Sequence, residues 1–213
     1  MKRTIGHRSV ALLLALLPFA ISAQALPKPK EFYFEEDPQA TRPLVLVPGD
    51  DDATVQKLLD ARSRSRRDVD VDLATAQLAH LSYAAGRVET GAALYAEALA
   101  SPVGIRIRPA VHWNHGWDLY RTGNAAAALE QWRLAGMERM KGPSWLPPTV
   151  AMALWSLDRR EEAVRWYAAA VRTEPALWQA PDLARLLPDW RDEERALLAE
   201  VAAAWRAAPP AWP

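Results

Sequence analysis

The chain has 213 residues, 26 basic and 26 acidic side chains, four histidines and no cysteine. This length supports one domain with a sizeable core. Without thiols there is no disulfide bracing, cysteine metal site or thiol nucleophile, so packing alone must hold the fold. The even charge balance excludes the basic excess that nucleic acid or an anionic membrane demands.

Residues 1–25 read as a signal peptide. Lys2, Arg3 and Arg8 precede an apolar run from Val10 to Ile21, which is followed by Ser22-Ala23-Gln24-Ala25. The small Ala23 and Ala25 predict cleavage between Ala25 and Leu26. The 12-residue run is shorter than the roughly 20 residues that span hydrocarbon. No cysteine follows it for lipid attachment, and no twin arginine precedes it, which points to general secretion of an unfolded chain. The expected location is a bacterial periplasm, with secretion as the alternative and no membrane insertion after cleavage. Residues 26–213 then carry 23 basic and 26 acidic residues, a net charge of −3.

Residues 26–52 form an arm rich in proline and acid (Pro27, Pro29, Pro38, Pro43, Pro48; Glu31, Glu35, Glu36, Asp37), with apolar pieces at Phe32-Tyr33-Phe34 and Leu44-Val45-Leu46-Val47. Those pieces read either as short strands or as parts of a linker, because the prolines limit any ladder. Within the following section, 53–70, Asp52 is expected to cap a lead-in helix from Ala53 to about Arg66. Val55, Leu58, Leu59 and Arg62 lie along its apolar stripe.

From residue 71 to 175 a helix-turn-helix pattern occurs three times. In the middle copy Pro109 suits a first helical turn, and the helix runs to Thr122. Gly123 turns left-handed and Asn124 caps a second helix with Ala128, Leu129, Trp132 and Ala135 on one face. Gly116 and Ala128, twelve residues apart, allow the two helices to approach closely while Trp132 fills the space beside them. The third copy places Ala151 as the small residue, Asp158 at the turn, then Ala163, Tyr167, Ala170 and Pro175. The first copy has Ala79, Gly86, Gly91, Tyr95 and Ala98, with its closing Pro102 one residue early. The turns are 37 and 35 residues apart, and the loops Ser101–Arg108 and Lys141–Leu146 take up length beyond a 34-residue period. This pattern resembles the tetratricopeptide repeat family over about half of the chain. The resemblance implies an all-α solenoid of about three repeats, with an N-terminal lead-in helix and a C-terminal capping helix, serving as a scaffold that binds other molecules.

Residues 176–208 supply the capping helices, a short one near Asp182–Leu187 and a longer one from Asp189 to about Ala207. Trp190, Leu197, Leu198, Val201 and Trp205 share one face of the longer helix, and Arg191, Glu194, Arg195 and Arg206 lie elsewhere. Residues 209–213 are a proline-rich tail.

The resemblance also implies which side chains line the concave groove. Four residues after each small residue stand Tyr83, Tyr120 and Trp155; one residue after it stand His80, Trp117 and Met152; three before it stand Ala76, Trp113 and Pro148. The expected partner-binding set is Trp113, Trp117, Tyr120, Tyr83, Trp155, His80, Met152 and Arg121, with Asn114 at the edge, suited to an extended or helical peptide. The competing reading places these aromatics in the core, covered by the arm or by the C-terminal helix. The lysines, arginines and asparagines that clamp a terminal carboxylate in the family are replaced here by His80, Ala76, Trp113 and Trp117, so no such clamp is expected.

Other motifs are weaker. His112 and His115 are one helical turn apart, with His80 of the neighbouring helix as a third candidate, but no fourth ligand is near in sequence. Asp68, Asp70 and Asp72 begin like a calcium loop, yet Leu73 stands where its glycine belongs and Ala79 where its glutamate belongs. The arginines 62, 64, 66 and 67 are followed at once by these aspartates and read as a solvated or internally paired face. No catalytic, cofactor-binding or metal-ligating set is assigned, and no phosphate loop, nucleophile elbow or dinucleotide fingerprint is present. The expected function is therefore that of a non-catalytic adaptor binding a protein or peptide. The alternatives are a structural subunit of an envelope complex and a carrier of a small apolar or glycan ligand.

Overall fold

The structure, a computed structural model, describes residues 25–29, 33, 41–63, 69–136 and 142–211, with the side chain of Val103 excepted. Residues 1–24 of the signal segment, the arm residues Glu31, Phe32, Phe34, Glu35 to Asp37 and Pro38, arginines 64, 66 and 67, Asp68, Lys141 and Pro213 lie outside the described residues.

Among the described residues all regular structure is helical. The helices are α1 (Asp52–Arg62), α2 (Val69–Ala84), α3 (Val88–Ala100), α4 (Arg108–Arg121), α5 (Ala125–Gly136), α6 (Leu146–Ser156), α7 (Arg160–Thr173), α8 (Pro175–Trp178), α9 (Leu183–Leu186) and α10 (Asp192–Ala207). A 3-10 turn, Val103–Arg106, occupies the loop between α3 and α4. Neighbours pair as α2 with α3, α4 with α5 and α6 with α7, α1 packs on α2, and α10 packs on both α6 and α7. No helix of the described residues is long and apolar enough to cross a membrane.

The three pairs close in the same way. At each turn one residue adopts a left-handed conformation, Gly86 at φ 74°, Gly123 at 87° and Asp158 at 58°. The following N–H then reaches back five residues, Arg87 to Ser82 (2.8 Å), Asn124 to Leu119 (2.8 Å) and Arg159 to Leu154 (2.9 Å). These bonds satisfy carbonyls that the helix end leaves open. Inside the first two pairs, small residues meet a large ring. A Cβ on Gly91 would lie 2.4 Å from the Tyr83 ring, and one on Gly116 would lie 2.3 Å from Trp132 Nε1. Tyr95, Trp132 and Tyr167 are the fully buried aromatics of the three pairs. Each has its polar atom satisfied, by Asp118 Oδ2, Trp113 O and Trp178 O respectively, as burial of a Tyr or Trp requires.

Several elements differ from the sequence reading. Asp51, not Asp52, caps α1 by accepting from Thr54 N at 2.8 Å. An Asn or Asp cap reaches the amide two or three residues on, and Asp51 stands three residues before Thr54. The long C-terminal helix starts at Asp192, and the stretch before it folds over so that Trp190 is buried ahead of the helix. Glu194 is buried rather than outward-facing, because Arg121 meets it. The arm is neither strand nor free linker where it is described. Tyr33 is buried against Trp166, forms an isolated parallel bridge with Gly142 and donates its N–H to Thr173 Oγ1. Leu46 and Val47 are tied to Gln77 of α2.

Candidate functional site

A cavity of about 620 Å³ lies along the inner faces of α2, α4 and α6, between arm residues 41–50 and segment 174–190. Gln77, His80 and Leu81 come from α2, Trp113, Asn114, Trp117, Asp118 and Arg121 from α4, and Pro148 and Thr149 from α6. On α4 these residues recur at three- and four-residue steps, which keeps them on one side of a 3.6-residue helix. The arm adds Leu44 and Val45, and the C-terminal segment adds Trp178, Leu187 and Trp190.

Of the expected partner-binding residues, Trp113, Trp117, His80 and Arg121 line this cavity. Trp113 and Trp117 are edge-on to each other at 5.7 Å, and Trp117 meets Trp190 at 4.9 Å and Trp132 at 5.1 Å. Both tryptophans are thus mostly core, each with an edge in the groove. The other four lie elsewhere. Met152 is 0% exposed. Tyr83 is buried against Tyr95 and His115. Tyr120 shares a 2.7 Å hydrogen bond with Ser156, and Trp155 donates to Glu200 at 2.9 Å beneath the Arg160 guanidinium. The reason is angular. At about 100° per residue, a side chain four positions after the small residue sits only about 40° from the face that meets the partner helix. The tyrosines and tryptophan of that row therefore fill the seams between helices instead of forming a ladder in the groove. Met152, at the position of Trp117, is enclosed in the main core cluster, which includes Leu198 and Val201 of α10.

One row escaped the sequence reading except for Asn114, which was expected at the groove edge. Gln77, Asn114 and Thr149 each stand two before the small residue of their pair and line the groove. Gln77 Oε1 accepts from the N–H groups of Leu46 (2.8 Å) and Val47 (3.0 Å), while its Nε2 donates to Val47 O at 2.6 Å. Asn114 Nδ2 donates to Arg42 O at 2.9 Å. Carboxamides on two inner helices thus grip the main chain of the protein's own arm, at the bends of Arg42 and of Leu46 and Val47. Their repetition at one register was the available signal.

The groove also holds a polar chain. Asp118, 6% exposed, accepts from Tyr95 Oη at 2.6 Å and His80 Nδ1 at 2.8 Å. The hydrogen bond to Asp118 raises the His80 pKa, and burial beside the same carboxylate holds the Tyr95 hydroxyl well above its ordinary value. His115 stacks on Tyr95 at 4.4 Å and shares a 3.2 Å hydrogen bond with Tyr83, and burial lowers its pKa to about 4. His112 instead bonds Gln131 at 2.8 Å. The three histidines considered as metal ligands are therefore held by different protein groups. Asp72 accepts from Ser101 at 2.8 Å. Among the described residues no group of three or more His, Cys, Asp or Glu is arranged to hold a metal ion. Arg62 pairs with Glu97 at 2.8 Å.

No family model, curated protein or solved structure matches this chain.

Proposed function

We propose that this protein is an exported, non-catalytic scaffold of tetratricopeptide type, a short α-solenoid that binds an extended peptide segment of a partner in the groove formed by α2, α4 and α6. The observation that carries the reading is the grip of Gln77 and Asn114 on the main chain of the arm. A surface that holds one non-helical segment by its backbone has the chemistry to hold another beside it. The three hairpins with equivalent turns support the repeat assignment, and the residues of segment 1–25 support export to the periplasm.

The size and tryptophan walls of the cavity favour a second reading, a carrier of a small apolar or glycan ligand, since such ligands occupy pockets of roughly 300–1,000 Å³. Selection of a displayed random peptide library on the purified protein tests the first reading. Enriched peptides are expected to bind the native chain and to be lost in Val45→Trp, which fills the rim at an exposed position without touching the core. Absence of enrichment, or peptides indifferent to that substitution, overturns it.

A further inference from the structure

The charges around the groove do not balance. Asp50, Asp118, Glu174 and Asp189 line it, and Arg121 is the sole lysine or arginine among the described lining residues. Arg121 is already taken, since Glu194 holds its guanidinium in two bonds of 2.8 and 3.1 Å. Asp118 is likewise satisfied, by Tyr95 and His80. What remains is a rim of three exposed carboxylates, Asp50 on the arm, Glu174 at the start of α8 and Asp189 beside Trp190. None of the three has an ion-pair partner among the described residues; Asp50 comes from the arm, and Glu174 and Asp189 come from the two ends of the segment across the cavity from it.

The walls between them are tryptophan rings, and one ring already shows what it takes. The Arg121 guanidinium sits over Trp117 at 4.9 Å from its centre, a geometry in which the negative face of the ring attracts a cation. Val45, 57% exposed on the arm side, offers an apolar contact next to this acidic, aromatic opening. A neutral or acidic occupant would leave the carboxylates unanswered, whereas a cation answers both them and the rings.

We propose that the groove selects an extended peptide carrying arginine or lysine flanked by apolar residues, with the cationic head held between the tryptophan walls and the rim carboxylates Asp50, Glu174 and Asp189. This rests on the peptide-groove reading above. Fluorescence anisotropy with three capped, labelled peptides of alternating composition, arginine–alanine, glutamine–alanine and glutamate–alanine, tests it on the full chain. The arginine peptide is expected to bind about tenfold more tightly than the glutamine peptide, as three partly exposed ion pairs would provide, and to weaken as salt is raised. The triple substitution Asp50→Asn, Glu174→Gln, Asp189→Asn is expected to abolish that preference while leaving the melting temperature unchanged. Equal binding of the arginine and glutamine peptides, or a preference that survives the triple substitution, overturns the charge selection and leaves the groove reading standing. Failure of all three peptides to bind overturns both.

Discussion

Arg121 on α4 and Glu194 on α10, 73 residues apart, form a forked ion pair in which the carboxylate is only 3% exposed. Glu194 also accepts the N–H of Arg191 at 2.8 Å, which closes the capping box of α10. One carboxylate therefore starts the C-terminal helix and fastens it to the middle hairpin. It also neutralises the guanidinium that lines the groove.

Arg121→Ala should destabilise the fold by about 2–3 kcal/mol, since removing one partner of a buried pair strands the other, and the partial exposure of Arg121 trims the full penalty. Urea denaturation measures it. A change below about 0.5 kcal/mol would show that the pair is only a surface contact.

Gly116→Ala should cost about 2–4 kcal/mol, because the new methyl would lie 2.3 Å from Trp132 Nε1 and 2.6 Å from its Cδ1, and a buried indole has no room to retreat. Thermal unfolding followed by tryptophan fluorescence reports both the loss and any displacement of Trp132. A wild-type melting curve would contradict the close approach of α4 and α5.

Gly123→Ala should cost about 1 kcal/mol for a different reason, since no atom is near its Cβ position but φ is 87°, a region costly for side chains. The equivalent Asp158 already bears that strain at φ 58°, so Asp158→Gly should raise stability by about 0.5 kcal/mol. The two substitutions moving in the same direction would refute the equivalence of the turns.

His115 should make the fold acid-sensitive above the carboxylate range. It is enclosed by Tyr83, Tyr95, Asp118, His112 and Gln131, and its folded pKa is lowered from 6.5 to about 4. As pH falls below 6.5 the unfolded chain takes up a proton first, so the stability present above that pH is lost progressively towards pH 4, by roughly 2 kcal/mol. Glu130 and Glu162, whose pKa values are lowered from 4.5 by Arg133 and Arg159, lose their contribution only below that value. His80 has the opposite sign, as its pKa is raised by Asp118 and its contribution fades as pH rises through that higher folded value. His115→Gln should flatten the stability profile between pH 6.5 and 4.5, and an unchanged slope would exclude His115 as its source.

Gln77→Ala should release the arm with little change in global stability. Three hydrogen bonds to Leu46 and Val47 disappear, but the freed main chain is partly exposed and can turn to water, which limits the cost to about 1 kcal/mol. Hydrogen exchange at Leu46 and Val47 should accelerate at least tenfold, since local opening need not involve the core. Unchanged protection there would mean that other contacts hold the arm.

Much of the fold was legible because it is written locally. Gly86, Gly123 and Asn124 are turn and cap residues wherever they occur, and the pairing of Gly116 with Trp132 follows from a spacing within one hairpin. The groove was legible only in part. The register that the family resemblance implies placed all eight expected residues in the groove; Trp113, Trp117, His80 and Arg121 do line the cavity, whereas packing turns Tyr83, Tyr120, Trp155 and Met152 towards the seams and core. Gln77 and Asp118 were missed because a polar side chain on a helix has no visible role until the segment it bonds is placed beside it. Glu194 illustrates the same limit, since a glutamate off the apolar face of a helix reads as outward-facing until an arginine 73 residues away is brought to it.

The sequence by itself determined the helices, their turns and the small-against-large pairing inside each hairpin, because those depend on backbone preferences and side-chain volumes separated by a few turns of chain. Only the tertiary structure decided which aromatic edges remain open, where the arm lies and which charges are left unpaired at the rim. Those properties arise when distant segments compete to cover the same surface, and no local pattern encodes the outcome of that competition.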